Sequence, residues 1–185
     1  KTINRLRAAL EKNSRIDLHR YPITLAYADN DLVLTGELED IAAKKVALGL
    51  AAAIAPGTAI VDRLRVKPAE RISDAQLCDH VIKALLEEPA LERCLLHSRL
   101  PKQLLPHRGG IPDPIGTIVV EVRDGVVTLN GEVPSLSRKS LAGVLAWWVA
   151  GCRDVINGLA EVPAQQDNDD ELTDAVCLAL EKDPF

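Results

Sequence analysis

Apolar residues fall along this chain in a pattern that occurs twice. Ile3, Leu6 and Leu10 recur at helical spacing, and Ile23, Leu25 and Tyr27 then alternate as a strand does. Asp29-Asn30-Asp31 reads as a turn, after which residues 32–34 return as the hairpin partner. Ile41, Val46, Leu50, Ala53 and Ile54 predict a second helix stopped at Pro56-Gly57, and residues 60–66 a third strand ended by Pro68. The order then repeats. Asp74 is the expected cap of a helix carrying Leu77, Val81 and Leu85 and ending before Pro89. Ile118, Val120 and Val122 alternate, Asp124-Gly125 is a two-residue hairpin turn, and Val127 and Leu129 form the return strand. Residues 136–150 predict the second helix, Gly151 its stop, and residues 155–162 the closing strand.

The two patterns superpose at a fixed offset of 95 residues. Asp29-Asn30-Asp31-Leu32-Val33-Leu34-Thr35-Gly36-Glu37-Leu38 lies without a gap over Asp124-Gly125-Val126-Val127-Thr128-Leu129-Asn130-Gly131-Glu132-Val133. Lys44 falls on Lys139, Leu64 on Leu159, and the opening of a third copy follows, with Asp169, Leu172 and Val176 matching Asp74, Leu77 and Val81. Such self-similarity means that one supersecondary unit is reused. It predicts an α+β chain of tandem αββαβ units, each a three-stranded mixed sheet with two helices on one face, because the second strand must cross over to reach the third. The expected units are 1–68 and 71–163, with 169–185 the opening helix of a third. First helix and first strand are 19 residues further apart in the second unit, which places an insertion near 92–112. Residues 164–168 read as a polar linker.

The segment Val119-Val120-Glu121-Val122-Arg123-Asp124-Gly125-Val126-Val127-Thr128-Leu129-Asn130-Gly131-Glu132-Val133 resembles a BON domain, in which an alternating strand, Asp-Gly and a strand ending Leu-x-Gly-x-Val precede an Ala-rich helix. The later part, Ala150-Gly151-Cys152 and Val155-Ile156-Asn157-Gly158-Leu159, follows that pattern with the asparagine shifted and Cys in place of Val. The first unit matches more loosely, Asn30 standing for the turn Gly and Asp62 for the Asn. The resemblance implies a non-catalytic binding module of bacterial envelope-type proteins, contacting a phospholipid membrane surface or an envelope protein. It implies a periplasmic or envelope location, with a cytoplasmic one as the alternative, and it supplies no active site. Gly36, Gly125 and Gly131 are structural: Gly125 allows a primed turn, and Gly36 and Gly131 are expected where a strand turns sharply toward the following helix.

Composition narrows the picture only locally. Net charge is +2 for residues 1–70, −1 for 71–163 and −6 for 164–185. No clustered basic footprint marks a nucleic-acid binder, so no nucleic-acid partner is expected. No apolar run reaches the roughly 18 residues of a spanning helix, and without an initiator Met the chain reads as a mature form or excised fragment. Cys78, Cys94, Cys152 and Cys177 do not recur between units and read as small buried hydrophobes rather than an inherited disulfide framework. No metal site, cofactor or catalytic group is expected. The four histidines lack ligand spacing, no nucleophile elbow or phosphate loop is present, and the carboxylates Asp29, Glu37, Asp124 and Glu132 are duplicated, as structural residues would be.

Two features read as binding elements. The insertion sets Arg93, Arg99, Lys102 and Arg108 among Leu95, Leu96, Leu100, Leu104 and Leu105, the mixture a membrane-surface segment needs. An ordered loop whose leucines cap the core is the competing reading, and Pro101 and Pro106 bar one continuous helix. In Trp147-Trp148, the spacing from Leu141 and Leu145 predicts Trp148 inward and Trp147 on the flank, exposed as an anchor or packed on the first unit. The lipid- or partner-binding set is therefore Arg99, Lys102, Arg108 and Trp147. The stripe Leu172, Val176, Leu180 is expected to dock on a neighbouring unit or, as a homo-oligomer contact, on another chain.

Overall fold

In a computed structural model, which describes residues 1–68, 71–100, 103–162, 169–170, 172–173 and 176–177, the chain divides into two compact units, the first being Lys1–Lys67 and the second beginning at Pro68. The first unit runs α1 (Thr2–Lys12), β1 (Ile23–Ala28), β2 (Asp31–Leu38), α2 (Ile41–Ile54) and β3 (Ile60–Val66). Its sheet has the order β1-β2-β3, antiparallel then parallel, since α2 carries the chain back across one face. Leu6 and Leu10 of α1 and Ala43, Ala47 and Ala51 of α2 cover Leu25, Leu32, Leu34 and Leu64, and all of these are buried.

The second unit comprises α3 (Asp74–Glu87), β4 (Cys94–Leu100), β5 (Gln103–Arg108), β6 (Gly116–Arg123), β7 (Val126–Val133), α4 (Leu136–Trp148) and β8 (Asp154–Glu161). The α+β class holds, and β6, β7 and β8 reproduce β1, β2 and β3 register for register. Ile118 opposes Gly131 as Ile23 opposes Gly36, and Val127 opposes Val155 as Leu32 opposes Ile60. Ala142 and Ala146, buried like Ala47 and Ala51 at the offset of 95, let each crossover helix lie close to its sheet.

The second sheet is not three-stranded. Its order is β5-β4-β6-β7-β8, because the insertion folds as a β-hairpin whose β4 adds parallel to β6. Cys94, Leu96 and Ser98 alternate into the core, so the segment is neither an amphipathic helix nor a capping loop. Pro106 fits because β5 is an edge strand, where a missing N–H costs no ladder bond.

Three further expectations are corrected locally. Ser73, not Asp74, caps α3, in a capping box with Gln76. Asp74 instead accepts hydrogen bonds from the backbone N–H groups of Asp124 and Gly125, both at 2.8 Å, and clamps the hairpin turn to the helix. Gly36 and Gly131 lie inside β2 and β7 rather than at a turn. At Gly131 φ is +120°, and a Cβ there would run into the Thr117 carbonyl of β6, so the need for glycine is close backbone approach. The turns themselves agree: Asp29 and Asn30 have φ of 50° and 72°, Asp124 and Gly125 of 52° and 75°, Asn tolerating the left-handed region that Gly occupies freely.

Candidate functional site

Strand direction gathers the features of interest at one end of the second unit. The β6–β7 turn, Asp124-Gly125, marks that end. Since β4 runs parallel to β6, with Ser98 beside Val120, its last residues Arg99 and Leu100 reach the same end, and so does the start of β5. The N-terminus of α3 is held there by Asp74. The connection from α4 to β8 passes there too, the Arg153 N–H donating to the Gly125 carbonyl at 2.9 Å. Trp148, the last residue of α4, therefore also lies at this end.

Three large apolar side chains are exposed here: Leu100 at 44%, Leu104 at 47% and Trp148 at 53%. Arg99 sits opposite Leu104 across the hairpin, exposed, with no ion pair among the described residues. Lys102 lies outside the described residues. Around them, Arg123 pairs with Glu121 at 2.6 Å, and the Asp74 carboxylate answers the positive end of the α3 dipole as well as the turn. The end thus combines an apolar, cationic hairpin tip and an indole with a largely internally neutralised middle.

The structure redistributes the residues named from sequence. Arg108 is not a surface cation. Its guanidinium reaches back to the carbonyls of Leu86, in the last turn of α3, and Leu91, the latter at 2.6 Å, so it ties β5 to the helix end. Arg93 donates to the Asp113 carbonyl at 2.8 Å. Trp147 is half-buried on the second unit's own core, and Trp148 is the exposed one. The buried line of α4 runs through Ala142 and Ala146, and Trp148 lies ~200° around the helix from Ala146. Leu141 is buried and Leu145 packs on the core as expected, but the line they define does not carry Trp148 inward. The alanines shared with α2 carried the correct one.

Chemistry elsewhere in the unit is internal. Ser98, 4% exposed, hydrogen-bonds His107 Nε2 at 2.8 Å and so ties β4 to β5 beside a register shift between Leu96 and His97. Burial pushes the Cys78 thiol up, with Asp79 adding and Ser98 opposing. Burial likewise raises the Cys94 thiol against the nearby Arg138 and Arg108. Both remain neutral thiols near pH 7. No group of three or more His, Cys, Asp or Glu side chains suited to a metal ion occurs among the described residues. Among those residues no helix is long and apolar enough to cross a membrane. Leu172 and Val176, expected to dock, are 44% and 54% exposed within the chain.

Residues 98–163 match the BON domain family. The matched span opens inside β4 and closes just beyond β8, so it takes in β5 of the added hairpin and leaves α3 outside. It is a single match; the likeness of the first unit to the second rests on their shared register. No curated protein matches the chain.

Proposed function

We propose that the chain is a non-catalytic binding module of a bacterial envelope-type protein, and that the turn end of its second unit rests on a phospholipid surface. The observation that carries this reading is the exposure of Leu100, Leu104 and Trp148 at one end of the unit that the BON match covers. An indole and two leucines suit the headgroup–acyl boundary, and Arg99 and Lys102 bring cations to anionic headgroups. Contact is peripheral and belongs to the periplasmic side of the envelope. Arg108 and Trp147 leave the set, and Leu100, Leu104 and Trp148 join it.

Co-sedimentation with anionic and neutral vesicles at low and high salt tests the reading. Leu100→Ser and Leu104→Ser should each lower affinity about tenfold through lost apolar burial. Arg99→Ala with Lys102→Ala should remove most of the salt sensitivity, each cation near an anionic surface contributing about 1 kcal/mol. Binding to neither vesicle would overturn it. A protein-assembly reading without lipid has one specific observation in its favour, the uncovered Leu172 and Val176.

A further inference from the structure

The acidic segment and the first unit complement each other in charge. Residues 164–185 carry seven acidic groups against one basic, while residues 1–20 carry six basic against two acidic. Arg5, Arg7 and Lys12 are exposed on α1. Beside α1 opens a cleft of about 900 Å³, with Ile16, Leu18, Pro22 and Ile23 as apolar lining and Arg7 and His19 among its polar residues. Glu11 and Asp17 also line it, but the Asp17 carboxylate is engaged by the backbone N–H groups of His19 and Arg20, both at 3.0 Å. The volume lies within the range of roughly 300–1,000 Å³ typical of pockets that enclose a ligand, enough for several side chains.

Leu172 and Val176 are suited to fill such a space. At the offset of 95 they stand where Leu77 and Val81 stand in α3, and those are 1% and 0% exposed. Leu172 and Val176, four apart as on one helical face, are both exposed.

We propose that the helix containing Asp169, Asp170, Leu172 and Val176 docks in the α1 cleft of a second copy of this chain. Its apolar stripe enters the cleft and its carboxylates face the α1 arginines, a helix-in-groove contact with charge setting its orientation. Made reciprocally, the contact closes a two-fold dimer in which each copy gives one helix and receives one. This proposal is independent of vesicle binding, because it uses none of the residues at the turn end of the second unit.

Sedimentation velocity of the 185-residue chain over a wide concentration range, at low and high salt, tests it. A reversible monomer–dimer equilibrium that weakens as salt rises is expected. Leu172→Asp with Val176→Asp should leave only monomer. Arg5→Glu with Arg7→Glu should weaken the dimer at least tenfold, and mixing that variant with Asp169→Lys, Asp170→Lys should restore a heterodimer. All six positions are exposed, so these variants keep the fold. Monomer at every concentration overturns the proposal, as does a dimer that the Leu172→Asp, Val176→Asp variant leaves intact. A monomer whose amide signals around the cleft move when Leu172 and Val176 are changed would assign the helix to its own chain and likewise overturn it.

Discussion

Asn157 donates its side-chain amide to the Lys139 carbonyl of α4 at 2.7 Å, and its side-chain oxygen faces the Leu159 N–H at 3.4 Å. Asp62, at the same place in the first unit, accepts from the Leu64 N–H at 2.9 Å but has no proton to donate. Lys44, 5% exposed, completes the arrangement: its ammonium reaches Asp62 and the Leu64 carbonyl, each at 2.9 Å. Lys44→Met should therefore destabilise the first unit by about 1–3 kcal/mol, the cost of stranding these acceptors, as urea denaturation would measure. Adding Asp62→Asn should recover part of the loss, because an amide there can donate to the residue 44 carbonyl as Asn157 does in the second unit. Gly131 gives a second prediction at this scale. Gly131→Ala drives a Cβ into the Thr117 carbonyl and should cost about 2–3 kcal/mol. Gly109→Ala, which meets nothing within 4 Å, should be close to neutral in the same experiment.

The β4–β5 hairpin is the element that separates the two units. It is built into the core, with Cys94, Leu96 and Ser98 buried, and Arg108 ties its second strand to the end of α3. Arg108→Ala should destabilise the second unit by about 1–3 kcal/mol in denaturant titration, since two carbonyls lose a charged donor. Vesicle affinity of the folded protein should hardly change, whereas a surface cation would show the opposite pattern. Most elements were legible from periodicity, because each unit alternates its core residues and marks its turns with Asp-Asn or Asp-Gly. This hairpin was not, because Pro101 and Pro106 interrupt its pattern and its alternation covers only Cys94, Leu96 and Ser98. Proline argues against a central strand but is admissible at an edge, and only pairing in space reveals which strand is the edge. The phase of α4 is hidden for a related reason. Leu141 is buried and Leu145 packs on the core, but the line nearest the sheet runs through the small alanines, which fit between helix and sheet. As a result Trp147 and Trp148 exchanged roles. Arg99 is exposed, whereas the backbone partners that hold Arg108 could not be read from the sequence.

Over the whole chain, chemistry is segregated by position. The first unit carries the basic α1 and the cleft beside it, the second the apolar tip and the indole, and the last residues the negative charge. Each unit closes its own core, so the exposed apolar groups are surplus to folding and are the places where a partner surface would be met. In the proposed function, the turn end of the second unit is the part that meets a phospholipid surface. Trp148 reports on it directly, since Trp147 and Trp148 are the chain's two tryptophans. The most direct measurement is tryptophan fluorescence of the Trp147→Phe variant, which leaves Trp148 alone, titrated with anionic vesicles carrying a quencher in the acyl region. If that end meets the membrane, emission shifts to the blue and is quenched as Trp148 leaves water for the headgroup boundary, both effects being weakened by Leu100→Ser with Leu104→Ser. An emission that stays at its aqueous position while the protein co-sediments with the vesicles would contradict it.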